Sequence, residues 1–401
     1  MKYIIVVPDG MADLPVPELG GKTPLEAAQT PNMDFMAKHG TVGLVQTIPD
    51  GMHPGSDIGN MAILGYNPKE CHTGRAPIEA ANQGIVLADD EIAIRCNFVT
   101  IVDGTMEDYS AGHITTKEAA LLIDTLNKQI GFPDAKFVTG KSYRHTCILK
   151  MREPKDCFAI KTVPPHDIPG KKVKPYLPQG PQSELFLRLM EKSVSILEHH
   201  SVNTVRLDLR ENPANMIWLW GQGTKPQLVP FQEKYGISGG IISAVDLVNG
   251  LGRLAQLEVV DVPGITGYYD TNYKAKAKYA LKTLKKHDFV YVHIEAPDEA
   301  GHNGNVKEKV KAIENVDREI VGAFLNHFDE HDDVRMLVLP DHPTPVSLRT
   351  HTDAPVGFVM YGKGVARNGA SEFNEEVAKE KGLLFKSGEA LIDFFIKNYN
   401  S

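Results

Sequence analysis

At both ends of the chain, short uninterrupted apolar runs alternate with segments in which apolar residues recur every three or four positions. The first pattern predicts buried strands and the second predicts amphipathic helices. Their alternation is typical of a sheet with helices packed on its faces. The predicted strands cover residues 3–7, 289–294, 335–339 and 356–361, and the predicted helices cover residues 31–39, 57–64, 243–256, 272–287 and 307–327.

The middle of the chain has a different pattern. Predicted strands at 92–102, 142–151 and 215–221 are separated by helices at 115–130 and 183–200, and a proline-rich stretch at 164–181 predicts an extended loop. We therefore predict an α/β fold, with a three-layer αβα core interrupted by a smaller α+β domain. The predicted core consists of residues 1–76 and 239–401, and the predicted insertion is 77–238.

Composition narrows the class of protein. The 401 residues are 42% hydrophobic and 23% charged, which is ordinary for a globular protein. The net charge of −8 argues against nucleic acid as a partner. No apolar run approaches the roughly 20 residues of a membrane helix, which argues against a membrane partner. The four cysteines form no C-x-x-C pair, so we expect reduced thiols and a cytoplasmic protein.

Carboxylates and imidazoles follow three of the predicted strands. In open α/β sheets, ligands bind beyond the carboxyl ends of the strands. Each residue alone could be a turn former, a helix cap or a solvated side chain, but together they predict a metal site at one edge of the sheet. They are Asp9 after the first strand, Asp298 and His302 after 289–294, Asp341 and His342 after 335–339, and His351 shortly afterwards.

The types of these side chains indicate which ions they would hold. Carboxylate oxygens mixed with imidazole suit Mn²⁺ or Zn²⁺, with Mg²⁺ and Co²⁺ as alternatives. The set contains no thiol, which argues against a closed structural zinc site. It is also too large for one tetrahedral ion and fits two. Two neighbouring metal ions stabilise both the entering and the leaving oxygen of a phosphoryl transfer.

Ser56 is the predicted nucleophile. A metal ion can lower the pKa of a hydroxyl far enough to give an alkoxide without a histidine base. Ser56 precedes the predicted helix at 57–64, so as its cap it would also bring the helix N-terminus to the phosphoryl oxygens. Read alone, Ser56 fits a plain N-cap serine better than a nucleophile. The predicted metal cluster favours the nucleophile.

The order of these motifs resembles that of the alkaline phosphatase superfamily. The series is Asp9, Gly55-Ser56-Asp57-Ile58-Gly59, Asp298-x-x-x-His302, Asp341-His342 and His351-Thr352. Within that superfamily the chain is similar, over nearly its whole length, to the archaeal-type 2,3-bisphosphoglycerate-independent phosphoglycerate mutases. The further matching segments are Pro8-Asp9-Gly10, Ser110-Ala111-Gly112-His113-Ile114, Ser142-Tyr143-Arg144-His145, and the stretches 243–247 and 264–273.

The resemblance implies an alkaline-phosphatase-like core, a site and a reaction. Ser56 would take a phosphoryl group and return it to the other hydroxyl of glycerate, interconverting 3-phosphoglycerate and 2-phosphoglycerate in glycolysis and gluconeogenesis. The substrate would be a small phosphorylated hydroxy acid, and the cofactors would be two divalent ions, with no nucleotide. Asp298, His302 and His351 would hold one ion, and Asp9, Ser56, Asp341 and His342 would hold the other.

A mutase must also retain the dephosphorylated glycerate, which requires a lid and cations for its carboxylate. Arg144 and His145 alternate on a predicted strand, so we expect one of them to face the substrate. Asn97 and Asp270 are further candidates. The predicted substrate-binding residues are Arg75, Arg95, His113, Arg144 and His145.

Three other functions fit parts of the pattern. A homoserine kinase-like phosphotransferase or a phosphoesterase could use the same core, and a metal-stabilised binding protein could keep the ligands without activity. Gly20-Gly21-Lys22-Thr23 does not make a nucleotide site, because Val16 stands where a P-loop needs its first glycine.

Overall fold

The computed structural model describes residues 1–328 and 333–397, which form two compact units. The first unit is 1–72 together with the described residues from 227 onward, and the second is 73–226. The sequence-based boundaries were 76/77 and 238/239. The difference has a local cause, because the Thr73 hydroxyl donates to the carbonyl of Thr224 at 2.5 Å and the helix at 75–82 packs on the strands of the second unit.

The strands are numbered along the chain. They are β1 Lys2–Pro8, β2 Thr41–Val45, β3 Glu91–Val102, β4 Thr105–Asp108, β5 Ala135–Lys141, β6 Arg144–Lys150, β7 Met216–Thr224, β8 Gly239–Ile242, β9 Glu258–Val259, β10 Phe289–Ile294, β11 Val334–Val338, β12 Val356–Gly362 and β13 Leu384–Phe385.

The helices are numbered in the same way. They are α1 Pro24–Ala27, α2 Pro31–His39, α3 Ser56–Ile63, α4 Pro68–Cys71, α5 Arg75–Asn82, α6 Thr116–Gln129, α7 Ser183–Leu197, α8 Ser201–Asp208, α9 Phe231–Tyr235, α10 Asp246–Leu254, α11 Tyr273–Thr283, α12 Ala296–His302, α13 Val306–Asn315, α14 Gly322–Leu325, α15 Glu375–Glu380 and α16 Gly388–Lys397. The helices of the described residues include none long and apolar enough to span a bilayer.

The first unit is built on a mixed sheet with the order β13-β2-β12-β11-β1-β10-β8-β9. At its centre β11, β1, β10 and β8 run parallel, whereas β12 is antiparallel to both β11 and β2. In the register of β1 with β10, Pro8 lies opposite Ile294, so both strands end at the same edge. β11 ends at that edge too, since Val6 lies opposite Val338.

Alternate residues of the central strands pack against helices on opposite faces of this sheet. Ile4 and Val292 belong to the core that the sheet shares with α2, α11 and α13. On the other face, the Tyr3 hydroxyl donates to the carbonyl of Ile396 in α16, and the Tyr291 hydroxyl donates to Asn60 in α3. The predicted α/β fold, with helices on both faces of the sheet, is therefore confirmed.

The single helix predicted at 307–327 is interrupted. A π-helical segment, Val316–Val321, separates α13 from α14. The buried carboxylate of Asp317 in this segment accepts the backbone N–H groups of Asn32 and Met33 at 3.2 and 2.7 Å. Those groups begin α2, whose expected cap, Thr30, makes no capping hydrogen bond. Asp317, far away in the sequence, thus replaces the local N-cap of α2, and it does so from the π-helical segment.

The second unit contains an antiparallel sheet with the order β4-β3-β6-β5, and β7 also pairs with β3. Ile92, Ile94 and Cys96 of β3 belong to the core that the sheet shares with α6 and α7, while Ala93 faces α5. The expected strand at 142–151 is β6, shortened to start at Arg144, and its hairpin partner β5 was not predicted. This arrangement of antiparallel strands and helices is the α+β architecture expected of the insertion.

Candidate active site

Three buried carboxylates lie where three neighbouring strands of the first unit end. Asp9 directly follows β1, Asp298 lies in α12 just after β10, and Asp341 follows β11. Gly10 allows this close approach, because its φ is +59° and a Cβ there would lie 2.5 Å from Asp298 Oδ1. The strand-end pattern of the sequence therefore corresponds to one cluster of side chains.

Asp298, His302 and His351 form the first group of possible ligands. Asp298 Oδ2 lies 3.2 Å from His302 Nε2, and Asp298 Oδ1 lies 3.4 Å from His351 Nε2. The two Nδ1 atoms face the carbonyl oxygens of Arg349 and Pro54 at 3.1 and 3.4 Å. Carbonyls accept only, so each Nδ1 carries a proton, and each Nε2 is left to bind either a second proton or a metal ion.

Those two Nε2 atoms are only 2.8 Å apart. Two lone pairs at this distance repel each other unless a proton or a metal ion lies between them. Hydrogen bonding to Asp298 outweighs burial and raises the pKa of His302 to about 9. Burial alone would raise the pKa of Asp298, but hydrogen bonds from His302 and His351 hold it well below its ordinary value. The group is thus arranged around a positive charge.

Thr344 links this group to His342. Its hydroxyl donates to Asp298 Oδ1 at 2.5 Å and therefore accepts from His342 Nδ1, which lies 3.2 Å away. The Nε2 atom of His342 is left with its lone pair, 3.2 Å from Ser56 Oγ. Nothing in the sequence marked Thr344 for this role, which depends on the path of the chain after β11.

His342, Asp341, Asp9 and Ser56 form the second group. His342 Nε2 lies 3.5 Å from both Asp9 Oδ1 and Asp341 Oδ2. The Ser56 hydroxyl is 3.3 Å from Asp9 Oδ2, whereas the buried Oδ1 atom of Asp9 has no hydrogen-bond partner. An unsatisfied buried carboxylate oxygen beside an unprotonated imidazole nitrogen is a place where a cation fits.

Ser56 is the first residue of α3, and the N-cap position belongs to Gly55. The expectation that Ser56 caps this helix is therefore wrong, although its side chain does lie at the helix N-terminus. Asn60, one turn later, donates to Asp341 Oδ2 at 2.7 Å. Gly59 packs so closely that a Cβ there would lie 2.5 Å from the carbonyl oxygen of Asp341. These contacts fix Ser56 beside the second group.

His293 is a site residue that the sequence analysis missed. It is buried in β10, and its Nε2 lies 2.8 Å from Asp9 Oδ2. Burial lowers the pKa of His293 to about 4 and raises that of nearby Glu295 to about 8. Burial also raises the pKa of Asp9, with Asp341, Glu295 and Asp298 adding to the effect. An imidazole in the otherwise apolar run 289–294 was the available signal.

We call Asp9, Glu295, Asp298 and Asp341 the anionic cluster. Among the described residues, two groups of three bring their possible ligand atoms within 4.8 Å of one another. They are Asp298, His342 and His351, and Asp9, His293 and Asp341. His342, a member of the first of these groups, also lies 3.5 Å from Asp9 and Asp341 of the second. The donor set, carboxylates with imidazoles and a hydroxyl, suits divalent ions of the Mn²⁺ or Zn²⁺ kind.

The second unit gathers cations instead. Arg95 on β3 pairs with Glu79 at 2.9 Å and stacks on Trp220 at 3.9 Å, and Arg144 covers the ring of Tyr143 at 4.5 Å. The rings of His113, Tyr143, Tyr109, His166 and Trp220 follow one another at centroid distances of 5.4–6.4 Å. Burial lowers the pKa of His166, and after a partly opposing effect of Asp167 the arginines lower it further. We call Arg75, Arg95 and Arg144 the cationic cluster.

Three residues that the sequence analysis considered for substrate binding are either outside that cluster or already hydrogen-bonded within the protein. His145 is buried against Phe98, at a centroid distance of 4.8 Å, and burial lowers its pKa to about 3. It is therefore a neutral core residue, and Arg144 is the member of the pair that faces solvent. Asn97 accepts a hydrogen bond from Trp220 at 3.3 Å. Asp270, in the first unit, accepts the Thr266 hydroxyl at 2.6 Å.

Comparison with known proteins gives similar chains along the full length. A family model described as 2,3-bisphosphoglycerate-independent phosphoglycerate mutase matches residues 37–203. Proteins of that name from Methanosarcina barkeri and Methanothrix thermoacetophila are 49% and 47% identical, over 99% of this chain and 100% of their own. A solved protein of Pyrococcus horikoshii has a TM-score of 0.84 at 31% identity, covering 100% of this chain and 98% of its own. A cofactor-independent phosphoglycerate mutase of Thermoplasma acidophilum has a TM-score of 0.70 at 27% identity, with 100% of both chains covered.

Proposed function

The chain belongs to the family of 2,3-bisphosphoglycerate-independent phosphoglycerate mutases, and we propose that it interconverts 3-phosphoglycerate and 2-phosphoglycerate through a phosphoserine at Ser56. The observation that carries the proposal is the position of the Ser56 hydroxyl, 3.3 Å from Asp9 Oδ2 and 3.2 Å from His342 Nε2, at the start of α3. The predicted nucleophile thus has two proton acceptors and a helix N-terminus beside it.

We propose two divalent ions as cofactors, with Mn²⁺ as the first candidate and Zn²⁺, Mg²⁺ or Co²⁺ as alternatives. Asp298, His302 and His351 would hold one ion, and Asp9, Ser56, Asp341 and His342 the other. The unpartnered Asp9 Oδ1 and the pair of facing Nε2 atoms support this assignment. Bound ions would lower the pKa of the Ser56 hydroxyl and neutralise phosphoryl oxygens.

The residues of the chain then divide the work of the transfer. Ser56 Oγ attacks phosphorus, so a bond from Oγ to phosphorus forms while the bond from phosphorus to the glycerate oxygen breaks. The Ser56 hydroxyl proton passes to Asp9 Oδ2, which it faces at 3.3 Å, and the leaving glycerate oxygen takes up one proton, so the number of bound protons is unchanged. Attack by the other glycerate hydroxyl reverses these steps and frees Ser56. The N-terminus of α3 favours the negative phosphoryl group throughout.

We propose that the second unit is the lid that retains glycerate between the two transfers. Its cationic cluster supports this role, because bidentate guanidinium groups suit a carboxylate or a phosphate. Arg144, Arg95, Arg75 and His113 remain the candidates for these contacts. His145 is not among them, since it is buried and neutral.

The test is a coupled assay with 3-phosphoglycerate, run with and without Mn²⁺ beside homoserine plus ATP. We expect metal-dependent formation of 2-phosphoglycerate and no turnover of homoserine. Product in the homoserine assay alone would replace the mutase by a kinase. Release of inorganic phosphate without 2-phosphoglycerate would replace it by a phosphoesterase, and no turnover in any assay would leave a binding protein.

We also propose that the protein works in the cytoplasm. Its four cysteines, Cys71, Cys96, Cys147 and Cys157, are free thiols, and three of them are buried. A reducing compartment preserves such thiols. Location of a fluorescently tagged chain by microscopy tests this directly.

A further inference from the structure

His293, in the buried strand β10, contacts Asp9, a neighbour of the predicted nucleophile Ser56. It lies on β10 opposite Val7, two residues before Asp9. Its ring projects to the same sheet face as Tyr291, whose hydroxyl binds Asn60 of α3. The ring therefore reaches Asp9 from within the sheet, and its Nε2 lies 2.8 Å from Asp9 Oδ2.

The hydrogen bonds around His293 favour one tautomer. Ser243 Oγ accepts the backbone N–H of Val245 at 3.0 Å, which leaves the hydroxyl proton free to donate. His293 Nδ1 lies 3.2 Å from that hydroxyl and is its acceptor. The ionised Asp9 carboxylate can only accept, so Nε2 carries the ring proton and donates it to Oδ2 at 2.8 Å, which agrees with an unprotonated Nδ1. A nitrogen that donates a proton cannot also be a metal ligand.

His293 is also fixed through its backbone. Lys276 Nζ, which is buried, donates to the His293 carbonyl at 2.7 Å. With the ring held by Ser243 and the main chain held by Lys276, the direction of the hydrogen bond to Asp9 is set by the fold. The two oxygens of Asp9 then differ, because Oδ2 accepts from His293 and Oδ1 stays open beside His342 Nε2 at 3.5 Å.

We propose that His293 is a positioning residue that holds the Asp9 carboxylate, through a Ser243–His293–Asp9 hydrogen-bond chain, with Oδ1 free to bind a divalent ion. The inference rests on the proposed function only in taking Asp9 as a metal ligand. Partners of this kind orient ligands and raise their basicity, and their loss costs about 10-fold to 100-fold in metal affinity.

The chain offers a matched control elsewhere in the same unit. His287 Nδ1 lies 3.0 Å from Ser238 Oγ, and its Nε2 lies 2.7 Å from Glu258 Oε2. In this second Ser–His–carboxylate series, His287 lies just before β10, whereas His293 lies near the end of that strand. His287→Ala removes the same type of hydrogen bond without touching the anionic cluster.

The experiment is calorimetric titration of the metal-free full chain with Mn²⁺, combined with counting of bound metal. We compare the wild type with H293A, H293Q, S243A and H287A, and circular dichroism checks that each is folded. We expect H293A to keep the number of bound ions but to weaken the site containing Asp9 by about 10-fold to 100-fold. H293Q should recover most of that affinity because its amide N–H can donate to Asp9. S243A should weaken binding less, and H287A should bind as the wild type does.

Two results would overturn the proposal. Loss of one bound ion in H293A would make His293 a ligand, and wild-type affinity in H293A would leave it without a positioning role. If H293A does not fold, H293Q and S243A decide, and a lower ion count in H293Q or unchanged affinity in S243A is the contrary outcome. No phosphoglycerate is present, so a wild type that binds Mn²⁺ but has no mutase activity would overturn the proposed function and not this one.

Discussion

The two units concentrate opposite charges. In the first unit, burial raises the pKa of Asp9 and the carboxylates of Asp341, Glu295 and Asp298 raise it further. In the second unit, burial lowers the pKa of His166 and the arginines of the cationic cluster lower it further. Each unit thus holds like charges that repel one another until a ligand of the opposite sign binds. The anionic cluster suits divalent cations, and the cationic cluster suits an organic anion.

The difference also lies in how firmly each cluster is built. Asp9, Asp298 and Asp341 are buried. Thr344 and Asn60 donate directly to Asp298 and Asp341, and Ser243 hydrogen-bonds to His293, the partner of Asp9. In the second unit Arg95 is paired and stacked, while Arg144 is exposed. Rigid placement is what metal-assisted chemistry needs, and exposed cations are what binding and release of a small anion need.

The largest effect is expected at the hydroxyl beside the anionic cluster. Ser56→Ala removes the phosphoryl acceptor, so turnover of 3-phosphoglycerate should fall by at least about 10³-fold. Intact-mass spectrometry should show a phosphate adduct on the wild type after mixing with substrate and none on the variant. Ser195→Ala, on the exposed side of α7, is the control. Turnover within about tenfold of wild type in Ser56→Ala would remove Ser56 from the mechanism.

The next largest effect concerns the anionic cluster as a cation site. Mn²⁺ at 100 times its Kd should raise the free energy of unfolding by about 2.7 kcal/mol per site. Urea unfolding with and without the ion measures this gain. Asp298→Asn should lose most of the contribution of one site, because the ligand charge next to His302 and His351 disappears. Asp261→Asn, at an exposed position of the same unit, should keep the full gain.

A smaller effect is expected in the cationic cluster. Arg144→Ala should raise KM for phosphoglycerate by about 10-fold to 100-fold, the range for one hydrogen bond to a charged group. Stability should change little because Arg144 is exposed. Arg188, whose guanidinium covers Phe132 at 5.2 Å in the same unit, is the matched control. An equal change of KM in Arg188→Ala would mean that general charge, not the cluster, attracts the substrate.

The smallest effect on catalysis is expected at His145, the neighbour of Arg144. His145→Phe should leave KM unchanged within about twofold, and it should change the dependence of stability on pH. The pKa of His145 is about 3 in the folded chain, below the ordinary 6.5, so between these values the unfolded chain binds the extra proton. Stability is therefore lost as pH falls from 6.5 toward 3, with a slope of up to about 1.36 kcal/mol per pH unit.

Thermal or urea unfolding over that pH range measures the slope. The wild type should lose stability as pH falls through this range, and His145→Phe should lack the part of the slope that His145 contributes. An unchanged slope together with a raised KM would place His145 with the cations after all.

The family membership and the α/β fold that the motifs and periodicity predicted are both confirmed. Runs such as 3–7 and 289–294 are apolar throughout because they form buried parallel strands, and this local pattern needs no tertiary information. Shorter strands such as β2 and β8 were missed. Gly239 and Gly240 make up half of β8, and glycine gives no strand signal.

The sequence by itself determined which chemical groups follow β1, β10 and β11, because strand patterns and ligand types are local properties. Only the tertiary structure decided how those groups pair. The order β11-β1-β10 brings three strand ends together, and the turn after β11 places Thr344 between Asp298 and His342. For the same reason, the sequence analysis selected His145, which is buried and neutral, and missed His293, which contacts Asp9. Burial and hydrogen-bond partners depend on residues far apart in the chain, and they determine what an imidazole does.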